Sequence, residues 1–183
     1  KARIIPGVAG GETKLALAFQ EKQSRYDLGD VTTTAKRDGS GWVLDGEKGV
    51  VLGGDIADRI FVTARTSGAR RNRDGIGVFM VDAKAAGLSR RGYVTHDGLR
   101  AAQLTFVGVK VAAADLIGDA GNGLALVERV VDEAIAALCA EAVGVMTVMH
   151  TTTLDYLKTR KQFGVTIGSF QAVQHRAADM LAD

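Results

Sequence analysis

Residues 124–160 contain no proline, and their apolar side chains do not keep to one stripe. The composition favours helix, and at about 1.5 Å per residue such a helix would be a rod roughly 55 Å long. Leu126, Val127, Val130, Val131, Ala134, Ile135, Leu138, Val143, Met146 and Met149 cover more than one of its faces. A helix that is apolar on several sides has to be surrounded by other elements. The only helical segment after it, residues 169–183 with Ser169 as N-cap, is too short to do so. The expectation is a piece of a larger arrangement: a domain, then the opening helices of a bundle.

The period changes at Asn122. Before it the signals are short strands: Leu15-Ala16-Leu17-Ala18-Phe19, Val31-Thr32-Thr33-Thr34-Ala35, and Trp42-Val43-Leu44 after a turn at Asp38-Gly39-Ser40-Gly41. Further candidates are Ile60-Phe61-Val62-Thr63-Ala64, Ile76-Gly77-Val78-Phe79-Met80-Val81 and Ala101-Ala102-Gln103-Leu104-Thr105-Phe106-Val107. Such spacing, broken by Gly, Asp and Ser, predicts an antiparallel barrel or sandwich. Residues 1–12 read as an irregular lead-in around the only proline, Pro6, and Trp42 reads as a structural core residue. The class expected is α+β: lead-in 1–13, β-domain 14–118, partial helical domain 122–183, and no strand after residue 125. The cluster Arg70-Arg71-Asn72-Arg73-Asp74 reads as a solvated loop.

Composition narrows the partners. A net charge of +2 on 183 residues makes no case for nucleic acid. No unbroken apolar run approaches the roughly 20 residues of a membrane span, so none is expected. The start shows no signal-peptide pattern and no initiator Met; an N-terminal address would have gone with any missing sequence. One cysteine, Cys139, excludes an internal disulfide framework and fits a reducing, cytoplasmic setting. Its apolar surroundings read as a buried thiol. No metal-ligand set is assigned.

The residues that point to chemistry follow the rod. Arg160-Lys161-Gln162-Phe163-Gly164 leads through Ile167, Phe170-Gln171 and Gln174-His175 to Ala178-Asp179-Met180. Arg160 offers a planar fork of donors suited to phosphate, Phe163 a flat face for stacking, and Gly164 a sharp turn. Those groups can grip a nucleotide. At a helix C-terminus such residues are more often a dipole-compensating cation and a core plug.

The pattern R-x-x-F-G-x-x-I-x-x-F-Q-x-x-Q-H-x-x-A-D-M resembles the signature of the acyl-CoA dehydrogenases, and residues 14–118 resemble that family's middle β-domain. The resemblance implies FAD as cofactor, with Arg160, Phe163, Phe170 and Gln171 reaching the FAD of a neighbouring subunit in a homo- or hetero-oligomer. The reaction it implies is α,β-dehydrogenation of an acyl-CoA thioester: a carboxylate takes the α-proton and the β-hydrogen leaves as hydride to flavin N5. Electrons would pass on to an electron-transfer flavoprotein or a similar acceptor. An N-terminal helical domain and later bundle helices of the family are absent here. On the β-domain, Phe19, Gln20, Tyr26, Val50 and Leu52 fall where the family contacts flavin.

Departures accompany the matches. The family run T-E-P-G-A-G-S-D reads Gln20-Glu21-Lys22-Gln23-Ser24-Arg25-Tyr26-Asp27, so both hydroxyl positions are replaced. The run W-I-T reads Val50-Val51-Leu52, after a family-like Gly46-Glu47-Lys48, and Leu52 cannot donate a hydrogen bond near N5. No catalytic base is assigned: Ala134-Ile135 occupies the position of the family's minority E-R pair, and Glu128, Glu133 and Glu141 read as capping or interhelical charges. Arg25-Tyr26-Asp27-Leu28, Asp97-Gly98-Leu99-Arg100-Ala101-Ala102 and residues 128–135 resemble the small subunits of two-component enzymes such as pimeloyl-CoA dehydrogenase. The alternatives are a degenerate partner subunit that contributes to a neighbour's FAD site, and an unrelated β-barrel interaction module.

Overall fold

Alternating burial along the strands builds the first part of the chain. In the computed structural model, which describes residues 4–182, the chain divides into two compact units between Arg129 and Val130. The first begins with a short helix α1 (Ile5–Ala9) with Pro6 in its first turn, where the missing N–H costs nothing. The irregular lead-in is thus helical in part; its residues 1–3 lie outside the described residues.

Eight strands follow: β1 (Leu15–Ala18), β2 (Thr34–Asp38), β3 (Gly41–Leu52), β4 (Arg59–Arg65), β5 (Ile76–Asp82), β6 (Leu88–Val94), β7 (Arg100–Val111) and β8 (Leu116–Ile117). They form one sheet in the order β6-β7-β3-β2-β4-β5-β8, with β1 also on β4. The sheet is mixed rather than antiparallel throughout, because β1 and β2 both run parallel to β4. A parallel partner needs a long connection, and the chain between Ala18 and Arg59 supplies one. Edge strand β6 has no counterpart among the expected strands: it is mostly exposed, so its sequence carries no apolar alternation. Val31-Thr32-Thr33 precedes β2 instead of opening it.

The core gathers Leu44, Ile60, Val62, Phe79, Leu104, Phe106 and Val109, each at most 2% exposed. Each such side chain contributes about 1.5–3 kcal/mol by burial. Trp42 meets Phe79 edge to face at 5.3 Å, and the Arg37 guanidinium lies over its indole at 4.1 Å. Trp42 is structural, as its position implied.

The loop 66–75 is solvated but anchored. Arg65 donates to the carbonyls of Gly29, Val31, Ser67, Arg70, Asn72 and Asp74. Buried Asp30 accepts from Arg70 and Arg71. The hydrogen bonds from Arg70 hold the Asp30 carboxyl well below the usual carboxylate range, against the opposing effect of burial.

Helix α2 (Gly123–Thr159) matches the predicted rod. Its start is wedged against β5: a Cβ on Gly123 would stand 2.8 Å from the Ile76 carbonyl oxygen, so only glycine fits. Leu124 packs with Val31 and Ile76. Further along, Ile135, Leu138, Val143, Met146 and Met149 are all more than half exposed. By length and composition α2 is apolar enough to cross a membrane. The expectation of no such segment looked for an unbroken apolar run and overlooked a long helix with few charges. Cys139 is likewise exposed rather than buried, since nothing among the described residues covers that stretch.

After α2 the second unit forms a hairpin of β9 (Lys161–Gln162) and β10 (Val165–Thr166), a 3-10 turn (Ile167–Ser169) and helix α3 (Gln171–Ala182). The hairpin corrects the expectation of no strand after residue 125: the glycine break is wide enough to pair its flanks. Ser169 is not the N-cap, because α3 begins only at Gln171 and Ser169 closes the 3-10 turn, its hydroxyl donating to the Thr166 carbonyl. Residue 183 of the predicted second helix lies outside the described residues.

Candidate functional site

Two groups of residues carry the chemistry expected from the sequence, one in each unit. In the first unit a cavity of about 460 Å³ is lined by Gln20, Glu21, Lys22, Arg25, Tyr26, Gly49 and Val50. Its form follows from a defect in β3. Trp42, Leu44 and Lys48 alternate inward, so the side chain of residue 50 would be buried too. The register with β7 slips between Lys48 and Val51, one extra residue enters, and Val51 becomes the buried one. Such a bulge re-aims a side chain. Val50 is turned out, 52% exposed, at φ +50°. That backbone is strained for a β-branched residue, by about 1–3 kcal/mol. Arg25, across the cavity, also has a positive φ of 49°.

Behind this lining lies a buried ion pair that sequence reasoning missed. Lys48 Nζ donates to Glu21 Oε1 at 2.7 Å, to Thr63 Oγ1 at 2.8 Å and to the Phe19 carbonyl at 3.5 Å. Glu21 also accepts from the backbone N–H of Thr32 and Thr33 and from the side chains of Thr32 and Gln23. Burial pushes the Lys48 ammonium down to about 8 against the pull of Glu21. Burial would raise Glu21, but the charge and hydrogen bond of Lys48, with the Thr32 and Gln23 bonds, hold it at about 2. The available signal was a lysine in phase with Trp42 and Leu44 on an inward-facing register.

The sequence-derived residues of this unit separate. Gln20, Tyr26 and Val50 line the cavity, and the Gln20 carbonyl accepts from Gly49 N–H at 2.9 Å. Tyr26 is 96% exposed. Phe19 contributes only its carbonyl, to Lys48, and Leu52 stands exposed beyond the cavity lining. Glu128, one of the carboxylates considered as a base, is committed to Arg73 at 2.6 Å.

In the second unit, Phe163 and Gly164 are the two central residues of the β9–β10 hairpin, at φ +53° and +81°. Positive φ at both positions is the type I′ arrangement, which prefers Asn-Gly. A phenylalanine there is out of place for folding, and its ring is 93% exposed. Phe170, on the turn before α3, meets it edge to face at 6.2 Å. Arg160 is exposed; its backbone N–H bonds the Tyr156 carbonyl, and its carbonyl accepts from Ile167 N–H. Gln171 opens α3, also exposed. All four residues therefore lie between the end of α2 and the first residue of α3, on the hairpin and the 3-10 turn that join the two helices. Among the described residues no cluster of His, Cys, Asp and Glu could hold a metal.

Residues 16–110 match the acyl-CoA dehydrogenase middle domain, and residues 121–183 match the acyl-CoA dehydrogenase C-terminal domain. The chain belongs to the acyl-CoA dehydrogenase family. It is 32% identical over 97% of its length to the mitochondrial long-chain specific acyl-CoA dehydrogenase of Sus scrofa, covering 42% of that protein. Among solved structures, the acyl-CoA dehydrogenase of Geobacillus kaustophilus superposes with a TM-score of 0.90 at 29% identity, over 98% of this chain and 48% of that one. The FAD complex of PigA superposes with a TM-score of 0.93 at 26% identity, over 100% of this chain and 48% of that one. The chain thus spans about half the length of the relatives it matches.

Proposed function

We propose that the full-length protein bearing this chain is an FAD-dependent acyl-CoA dehydrogenase. The observation that carries the reading is Phe163: an aromatic ring held 93% exposed on a positive-φ backbone, beside an exposed Arg160. Folding alone selects against that placement; ligand binding gives it a reason.

The residues present fit the apolar parts of FAD. Val50, turned outward by its bulge, and the exposed Tyr26 ring offer a surface for a flat ring system. Arg160 would pair with a phosphate through its fork, Phe163 and Phe170 would stack on a planar group, and Gln171 would supply an amide contact. When bound, FAD would accept the hydride lost from the β-carbon of an acyl-CoA thioester. The carboxylate that takes the α-proton is not assigned among residues 1–183, since Glu128 is paired with Arg73. An electron-transfer flavoprotein or similar acceptor would reoxidise the enzyme. The sharing of Arg160 and Phe163 between subunits would make a homo- or hetero-oligomer the active form, in the cytoplasm, and the bundle would cover the apolar faces of α2.

A second reading is a partner subunit whose flavin site is completed by a different chain. Leu52 favours it, since an exposed leucine donates nothing near the flavin. Purification of the full-length protein tests both readings. Yellow protein bleached by an acyl-CoA supports the first. Colour only in the presence of a second subunit supports the other. Colourless protein that takes up no FAD in any assembly removes both.

A further inference from the structure

Two cavities of the first unit share one wall. Beside the cavity at Gln20 and Tyr26 lies another of about 580 Å³, reached by Glu47, Lys48, Arg91, Tyr93 and Gln103. Lys22, Gly49 and Val50 line both. No regular ladder holds this wall. Lys22 belongs to the irregular segment after β1, and Gly49 and Val50 fall where the β3–β7 register slips. One backbone bond, from Gly49 N–H to the Gln20 carbonyl, joins its two halves directly.

We infer that Glu21 and Lys48 are a positioning pair that fixes this wall and so sets where a flavin ring would rest against Val50; the inference rests on the FAD reading above. The pair ties four segments at one buried point: residues 19–23, Thr32 with Thr33, β3 through Lys48 itself, and β4 through Thr63. Its hydrogen-bonding capacity is used in full. All three ammonium donors find oxygen, and the carboxylate accepts from five donors. A buried pair of charges is a poor means of gaining stability, since the desolvation of both ions offsets their attraction, and an apolar pair of similar volume often folds as well. Directional bonds are what the apolar pair lacks. Glu21 lines one cavity and Lys48 the other, so the pair stands behind the wall from both sides.

The double variant Glu21→Leu/Lys48→Met of the full-length protein separates positioning from plain stability. Gly49 N–H makes no bond to either side chain, so its hydrogen exchange reports the wall rather than the deleted contacts. The expected result is a folded protein whose melting temperature is lowered by the orphaned Thr32 and Thr33 N–H groups. Gly49 should exchange at least about tenfold faster while the β4–β5 amides stay protected, and FAD affinity should fall at least about tenfold. Unchanged Gly49 exchange overturns the inference, and so does faster exchange with unchanged FAD affinity. If the double variant does not fold, Glu21→Gln measured in the same two ways decides. If the unmodified protein takes up no FAD, the flavin reading falls by itself, and Gly49 exchange still decides whether the pair holds the wall.

Discussion

Phe163 and Phe170 meet edge to face, ring centroids 6.2 Å apart at an interplanar angle of 79°. The contact closes a hairpin whose two central residues both have positive φ. Asparagine suits such a backbone better than phenylalanine. Phe163→Asn is therefore expected to stabilise the fold slightly, by up to about 1 kcal/mol, while weakening FAD binding by the loss of a stacking face. Melting curves and FAD titration on the same variant check both signs. A variant that is less stable and equally good at binding would make Phe163 a packing residue.

Arg160 separates the cofactor reading from a helix-end charge. As a phosphate ligand it is worth about 1.5–3 kcal/mol. Arg160→Ala should then lower FAD affinity roughly ten- to hundredfold, and Arg160→Lys should recover only part, because an ammonium lacks the bidentate fork. As a dipole-compensating cation it is worth about 0.3–1 kcal/mol of stability, and Lys would replace it. Isothermal titration and thermal melts of both variants distinguish the two.

The 183-residue chain by itself is expected to bind FAD no tighter than micromolar. Gln20, Tyr26 and Leu52 stand where the family resemblance implies Thr and Ser hydroxyls at the flavin, and Arg160 would serve a neighbour's cofactor. A sub-micromolar dissociation constant for the isolated chain contradicts this.

Acid should loosen the first unit in a defined window. Glu21 and Asp30 both hold their protons less tightly in the fold than in the unfolded chain. The unfolded chain therefore binds more protons there, and stability falls as pH falls. For Glu21 the loss begins near its ordinary 4.5 and is complete near 2. Asp30→Asn should lower the melting temperature at neutral pH and flatten the acid limb. An acid limb that is the same in Asp30→Asn would show that the Arg70 contact does not survive in solution.

Much of the fold was legible because its signals are local. β4 and β5 announce themselves as aliphatic runs, and α2 as a proline-free stretch ending near Arg160. What was hidden is what depends on partners far away in sequence. Nothing in Leu88-Ser89-Arg90-Arg91 marks a strand, since β6 is ordered by β7 and faces solvent. Arg160, Phe163, Phe170 and Gln171, which the resemblance linked to FAD, are neighbours in sequence and were readable together. Lys48 and Glu21 are 27 positions apart, and only the register of β3 brings them into contact. The outward turn of Val50 was equally invisible, because a bulge leaves no mark in a run of three aliphatic residues.

Arg65 should prove costly to remove. Its guanidinium satisfies six carbonyls from two loops, and each buried acceptor left alone costs about 1–3 kcal/mol. Arg65→Met is expected to lose several kcal/mol, visible as a lowered denaturant midpoint; a shift of under about 1 kcal/mol would mean that water replaces the guanidinium.

That same knot bears on how the molecule can be altered. Surface loops ordinarily accept added sequence at little expense. Here the 66–75 loop and residues 29–31 are cross-tied through Arg65 and through Asp30 with Arg70 and Arg71, so an affinity tag or fluorophore inserted after Ala69 would pull on the stretch that feeds Thr32 and Thr33 to Glu21. The loop that looks most permissive is a handle on the cavity wall.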